Sequence, residues 1–176
     1  MTFSDPQKNI EQFSLIEGMR VADLGAGSGA YTLAAARQVG TSGKVYAIEV
    51  QKDLLSSLKN NAQKQGLLNV DVIWGDIERT GATKLKEQSV DATIVSNVLF
   101  QAEDKKGLIA EVKRILKPKG KVLVVDWQES YGGMGPHPDH VVHESGAKKM
   151  FEEGGFSIER HISAGPHHYG FIAIKQ

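Results

Sequence analysis

Seven residues, Asp23-Leu24-Gly25-Ala26-Gly27-Ser28-Gly29, close one apolar run and open a stretch with helical character. Glycines in such a turn supply positive φ and let a ligand approach the backbone closely. The spacing Gly25-x-Gly27-x-x-Ala30 also satisfies a loose dinucleotide pattern, so the glycines alone leave a nicotinamide or flavin cofactor open. Asp23 argues against a pyrophosphate: its carboxylate would repel one, but would serve a cationic group such as methionine's α-ammonium. Glu49, twenty residues beyond Gly29, ends a second apolar run and is placed to accept hydrogen bonds from both hydroxyls of an adenosine ribose. A carboxylate at a buried strand end needs a partner to offset its desolvation. Gly75-Asp76 adds a carboxylate suited to the exocyclic amine of adenine, and Asn97 follows a fourth apolar run. Asp76 and Asn97 read equally well, taken singly, as helix caps or turn formers.

All six histidines lie beyond residue 136, and His137, His140 and His143 recur at intervals of three. Histidine titrates near neutrality and is a common general base toward a hydroxyl or an acidic carbon, so these three are candidate catalytic residues. Asp126 and Tyr131 are alternatives at the same edge, although Asp126 equally fits a strand-end carboxylate satisfied by loop amides. Asp139 or Glu144 would turn the triplet into a metal site, but Pro138 interrupts the first interval and no metal is expected. A polar lid without chemistry is the remaining reading. His161, His167 and His168 read as surface residues of a terminal hairpin. The basic stretch Lys105, Lys106, Lys113, Arg114, Lys117, Lys119 and Lys121 is interleaved with Glu103, Asp104 and Glu111 and lacks aromatics. It reads as a solvated helix face, not a nucleic-acid surface.

The elements that must position these groups alternate. Arg20 to Leu24, Lys44 to Val50, Val70 to Trp74, Val90 to Ser96 and Lys121 to Trp127 are short and rich in β-branched residues, as strands are. Helical stretches near Ser28 to Val39, Lys52 to Gln65 and Lys105 to Leu116 separate them, the last stopped by Lys117-Pro118-Lys119-Gly120. The class is therefore α/β, Rossmann-like and doubly wound, with right-handed crossovers. Asp5-Pro6 starts a leading helix within residues 1–17. Residues 128–143 form a substrate-side loop, followed by a helix from Glu144 to Glu153. Strands Ser157 to Ser163 and Tyr169 to Lys175 then make an antiparallel hairpin. With 176 residues, 40% of them hydrophobic, the expectation is a single domain over 1–176. Acidic and basic residues balance at 21 each, so no overall field draws in nucleic acid or a membrane surface. There is no cysteine, which removes thiolate chemistry and suits a reducing compartment. Met1 to Pro6 lacks the basic-then-apolar order of a secretory signal, and no apolar run approaches the roughly 18 residues that span a bilayer. A cytoplasmic location is expected.

Val21 to Gly29 resembles the first signature of class I S-adenosylmethionine-dependent methyltransferases, and Val45 to Gln51 resembles their second. The likeness continues through Gly75-Asp76, Ser96-Asn97-Val98-Leu99 and Ile115 to Val122, nearly the whole chain. It is similar to the branch containing the ubiquinone/menaquinone-biosynthesis methyltransferases, and Met134-Gly135-Pro136 followed by Gly154-Gly155-Phe156 is similar to small bacterial members of it. The resemblance implies a seven-stranded, mostly parallel sheet whose last strand is reversed, with S-adenosylmethionine as cofactor. It implies that Asp23, Gly25, Gly27 and Gly29 surround the methionine part, Glu49 the ribose, and Asp76 with Ile77 the adenine, with Val50 packed on the base. The implied reaction moves a methyl group to an oxygen, carbon or nitrogen of a small-molecule acceptor. Arsenic-methylating relatives use cysteines, and amino-group methylases of nucleic acids carry Pro-Pro-aromatic where this chain has Asn97-Val98-Leu99; both activities are disfavoured. The alternatives are a nicotinamide-dependent oxidoreductase, or a cofactor-binding module without turnover.

Overall fold

The computed structural model describes residues 4–176. The parts of the signal-sequence and leading-segment expectations that fall on Met1, Thr2 and Phe3 lie outside the described residues. The elements are α1 (Pro6–Phe13), β1 (Arg20–Leu24), α2 (Ala30–Val39), β2 (Lys44–Glu49), α3 (Lys52–Lys64), β3 (Val70–Trp74) and β4 (Val90–Ser96). There follow α4 (Lys105–Ile115), β5 (Leu116–Trp127), a single 3-10 turn at Pro138–His140, α5 (Glu144–Glu153), β6 (Phe156–Ile162) and β7 (His168–Lys175). One seven-stranded sheet has the order β3-β2-β1-β4-β5-β7-β6. All neighbours from β3 to β5 are parallel, and β7 runs antiparallel between β5 and β6. The expected reversed hairpin is thus present, with its second strand inserted inside the first.

Both faces of the sheet are covered, which explains near-continuous apolar strands where a half-exposed sheet would alternate. Ala22, Leu24, Ile48 and Val124 face α4 and α5 through Leu108, Val112 and Phe151. Val21, Val45, Ile94 and Leu123 face α1 and α2 through Ile10, Phe13, Ala35 and Val39. Asp5 caps α1 by accepting from the Lys8 N–H at 3.2 Å, with Pro6 in the first turn. α3 buries Leu55, Leu58 and Ala62, one stripe at helical spacing.

One boundary differs from expectation by more than two residues. Lys117-Pro118-Lys119-Gly120 is no loop between α4 and a strand starting at Lys121; α4 runs directly into β5. Leu116 already pairs with Val90, and the ladder resumes at Lys121 opposite Ala92 after a register shift. Pro118 lacks an amide to donate, so the bulge is where the strand accommodates it. Among the described residues no helix is long and apolar enough to cross a membrane.

The loop between β3 and β4, which begins at Gly75-Asp76, is anchored from α4. Glu111, fully buried, accepts from Arg114 at 2.7 Å, from the Thr83 hydroxyl at 2.5 Å and from the Gly81 N–H at 2.9 Å. Burial pushes its carboxyl up, but the bonds from Arg114, Thr83 and Gly81 outweigh it and hold the group below the usual glutamate range. Its contribution to stability is therefore present above that range and lost as pH falls through it. Glu111→Ala strands the Arg114 guanidinium and two further donors; urea denaturation at pH 7 should show a loss of about 3 kcal/mol, shrinking in acid.

Candidate functional site

Strand β1 lies between β2 and β4, so the chain crosses over in opposite directions on either side of it. Open α/β sheets bind ligands outside the carboxyl ends of strands at such a switch point. A cleft of about 850 Å³ opens there, lined by the turn after β1 and the ends of β2, β3 and β4.

The turn is built by three glycines with different duties. Gly25, at φ +78°, lies so close to the loop after β4 that an added Cβ would meet the Val98 side chain at 2.6 Å. Gly29, at φ +87°, starts α2, and an added Cβ would meet Leu58 of α3 at 2.5 Å. Gly27, at φ +54°, has nothing within 4 Å of its added Cβ, because that position faces the open cleft.

The carboxylates are held individually. Asp23 is buried at the end of β1 on the face covered by α2, where the Thr32 hydroxyl donates to it at 2.6 Å. Burial raises its pKa to about 6, against the lowering effect of the Thr32 bonds. Glu49 accepts from the N–H groups of Gly27 at 3.0 Å, Val50 at 2.9 Å and Gln51 at 3.0 Å. That arrangement ties the first turn to the second and fixes both carboxylate oxygens. Asp76 pairs with Arg79 at 3.1 Å and accepts from the Glu78 N–H at 3.0 Å. Glu78 in turn accepts from the Asp104 N–H. Asn97 sits at φ +55°, a conformation that costs a non-glycine residue energy and persists where the surroundings impose it. Asn97 Oδ1 and Ser96 Oγ are buried at the cleft wall and, among the described residues, have no hydrogen-bond partner.

Of the residues singled out in the sequence, Asp23, Gly25, Gly27, Glu49, Val50, Asp76, Ile77 and Asn97 all line this cleft. Gly29 does not; its backbone conformation and the space beside it serve the packing of α2 on α3. His137, His140, His143, Asp126 and Tyr131 are not among the described lining residues either. His137 and His140 are exposed around the 3-10 turn with ring centroids 6.0 Å apart, and His143 is exposed ahead of α5. No group of three histidine, aspartate or glutamate side chains that could hold a metal comes together among the described residues. Tyr131 stacks on His167 at 3.9 Å. Asp126 is fully buried and accepts from the N–H groups of Leu99 and Trp127, both at 2.8 Å, tying β5 to the loop after β4. Burial raises its pKa to about 6 although these amides oppose the shift.

Other parts of the lining come from residues outside the predicted site set. Ser4 and Pro6 bring the leading segment over the cleft, where the Tyr31 hydroxyl accepts from Asn9 at 2.7 Å. Trp127 and His168 line the cleft with Phe100. His168, expected at the surface, is only 4% exposed, because β7 is an interior strand and its first residue pairs with Trp127. Its place at the head of the apolar run Tyr169 to Ile174 was the available signal.

Residues 15–161 match the family model for a methyltransferase domain. The chain belongs to the methyltransferase domain family. It is similar over 99% of its length to a S-adenosylmethionine-dependent methyltransferase from Aquifex aeolicus, at 29% identity and TM-score 0.89, covering 91% of that chain. It is 29% identical over 128 residues to an arsenite methyltransferase of Halobacterium salinarum, covering 73% of this chain and 31% of that protein. It is 28% identical over 121 residues to the ubiquinone/menaquinone biosynthesis C-methyltransferase of Shewanella halifaxensis, covering 68% of this chain and 47% of that one. The chain thus spans between about a third and a half of the length of these two relatives.

S-adenosylmethionine is the cofactor of this methyltransferase class, and the donor set fits it. Sulfonium and ammonium charges suit a cleft whose charged lining residues, among those described, are Asp23, Glu49, Asp76 and Glu78. The orphaned oxygens of Ser96 and Asn97 and the open face of Gly27 leave polar atoms and space for a ligand to use. Because Asp23 keeps its proton to about pH 6 in the native state while the unfolded chain releases it near 4, stability falls as pH rises through that window. Asp23→Asn removes this dependence. Its stability relative to the parent should rise by up to about 3 kcal/mol between pH 4 and pH 6.5 in paired urea titrations; the Asp126 contribution is common to both proteins and cancels.

Proposed function

We propose that this chain transfers a methyl group from S-adenosylmethionine to an oxygen, carbon or nitrogen of a small-molecule acceptor. The observation that carries this reading is the carboxylate set lining the cleft at the switch point, with Asp23 and Glu49 buried and Glu49 fixed by three backbone amides. In it Asp23, Gly25 and Gly27 hold the methionine part, Glu49 the ribose hydroxyls, and Asp76 with Ile77 the adenine, against which Val50 packs. Asn97 and Ser96 supply oxygen acceptors beside them. When bound, the cofactor supplies an electrophilic methyl carbon; the protein's part is to hold an acceptor atom in line with it and keep water out.

The charge pattern narrows the acceptor. None of the described lining residues is lysine or arginine, so a carboxylate or phosphate acceptor would meet only like charge. A neutral or cationic small molecule fits, and the same argument disfavours the pyrophosphate of a nicotinamide cofactor and a nucleic-acid backbone. With no cysteine, the chain offers no thiolate of its own to arsenite, the acceptor named for one of its relatives.

Calorimetry with S-adenosylmethionine and S-adenosylhomocysteine should show saturable binding, weakened at least about tenfold by Glu49→Ala. NADH should give no saturable fluorescence change. A cationic ammonium beside Asp23 favours its ionised form, so binding at pH 5.5 should release a proton. The observed heat will then depend on the ionisation enthalpy of the buffer at pH 5.5, not at pH 7.5, and not in Asp23→Asn. Absence of binding to either sulfur ligand would sink the proposal; binding without transfer to any acceptor would favour a module without turnover.

A further inference from the structure

The transfer reading leaves one question of chemistry: where the acceptor's proton goes. Six titratable side chains are among the described residues lining the cleft: Asp23, Tyr31, Glu49, Asp76, Glu78 and His168. Five of them carry oxygen, not an imidazole, at their titrating group. Asp23 is bonded to Thr32, Tyr31 to Asn9, Glu49 to three amides, Asp76 to Arg79 and Glu78 to the Asp104 amide. Four of the five are also acids whose negative charge suits a cationic cofactor, not proton uptake from a substrate.

His168 differs in chemistry and in place. It stands at the start of β7, two strands beyond β4 in the sheet, and lines the cleft with Phe100 and Trp127. Its ring lies 4.3 Å from the Trp127 ring, centroid to centroid, tilted by 40°. Trp127 is backed in turn by Gly135, where an added Cβ would come within 2.8 Å of the indole. The imidazole is therefore fixed between a paired strand and an aromatic neighbour, almost wholly buried yet bordering the cavity. Pre-positioning of this kind is what proton transfer from a bound substrate requires. The exposed histidines of the 128–143 loop, His137, His140 and His143, have no comparable support.

We propose that His168 is the catalytic residue of the acceptor side, taking the proton of an acceptor O–H, N–H or acidic C–H as the methyl group arrives. The inference rests on the transfer reading above. The acceptor atom's electron pair forms the new bond to the methyl carbon while that carbon's bond to sulfur breaks, the sulfur keeping those electrons. The proton leaving the acceptor goes to an imidazole nitrogen of His168 and from there to water.

The test uses the chain loaded with S-adenosylhomocysteine and labelled at its histidines, titrated with phenol, aniline and acetylacetone while the ring resonances are followed by NMR. The His168 signals, assigned by their loss in His168→Gln, should shift with at least one probe while those of His137, His140 and His143 stay fixed. With that probe and S-adenosylmethionine, His168→Gln should form product at least about a hundredfold more slowly, with unchanged calorimetric affinity for S-adenosylhomocysteine. His168→Ala should be partly rescued by added imidazoles in proportion to their basicity, a dependence that a purely structural role would not give. Binding of S-adenosylhomocysteine with no probe moving His168, shifts confined to the loop histidines, or near-parental turnover in His168→Gln each overturns the inference and spares the transfer reading. Failure of the parent chain to bind S-adenosylhomocysteine overturns both.

Discussion

The position of β1 between β2 and β4 is the constraint from which the site follows. Parallel pairing on both sides brings the carboxyl ends of these strands to one edge, in register: Asp23 lies beside Ala47 of β2 and Ile94 of β4. The crossovers leave β1 in opposite directions, so no helix closes the space above it. A ligand cleft is the geometric result, and whichever residues end these strands become its lining. The tight turn after β1 is possible because Gly25 and Gly29 let Val98 and Leu58 pack where any Cβ would stand.

The energetics divide the acids into two kinds. Glu111 is buried with a guanidinium and two further donors, and its ionised form is favoured; it holds the loop that begins at Gly75-Asp76. Asp23 is buried with one hydroxyl, and its ionised form is disfavoured. The first arrangement is complete within the protein, whereas the second leaves a carboxyl that burial keeps protonated up to about pH 6. A buried acid with a raised pKa at the wall of a cleft is the pattern that marks candidate binding residues. Asp126 shares the raised value but is surrounded by backbone amides, and its role is to clamp β5 to the loop after β4.

Strand positions were legible in the sequence because a sheet covered on both faces demands unbroken apolar runs, and such runs stand out in Val45 to Ile48 and Val122 to Val125. The β1 turn was legible because only glycine tolerates its backbone angles and contacts. The start of β5 was misjudged because Pro118 and Gly120 normally end a strand, yet a bulge absorbs them opposite β4. The loop histidines stand apart from the described cleft lining for a related reason. Spacing of three made His137, His140 and His143 look like a set, but the segment is a single short turn with both neighbouring rings exposed.

Taken by itself, the sequence determined the class of fold, the order of its elements and which carboxylates end the strands at the cleft, because each depends on residues near one another in the chain. Periodicity, turn chemistry and the end of a strand are local properties. The tertiary structure decided what lies opposite. Insertion of β7 between β5 and β6 carries His168 from an expected hairpin edge to the wall beside Trp127, 41 positions earlier in the chain. The contact of α1 with α2 likewise brings Ser4 over the cleft. Long-range strand pairing fixes those neighbours, and a pairing partner leaves no local trace in the residues that will meet it.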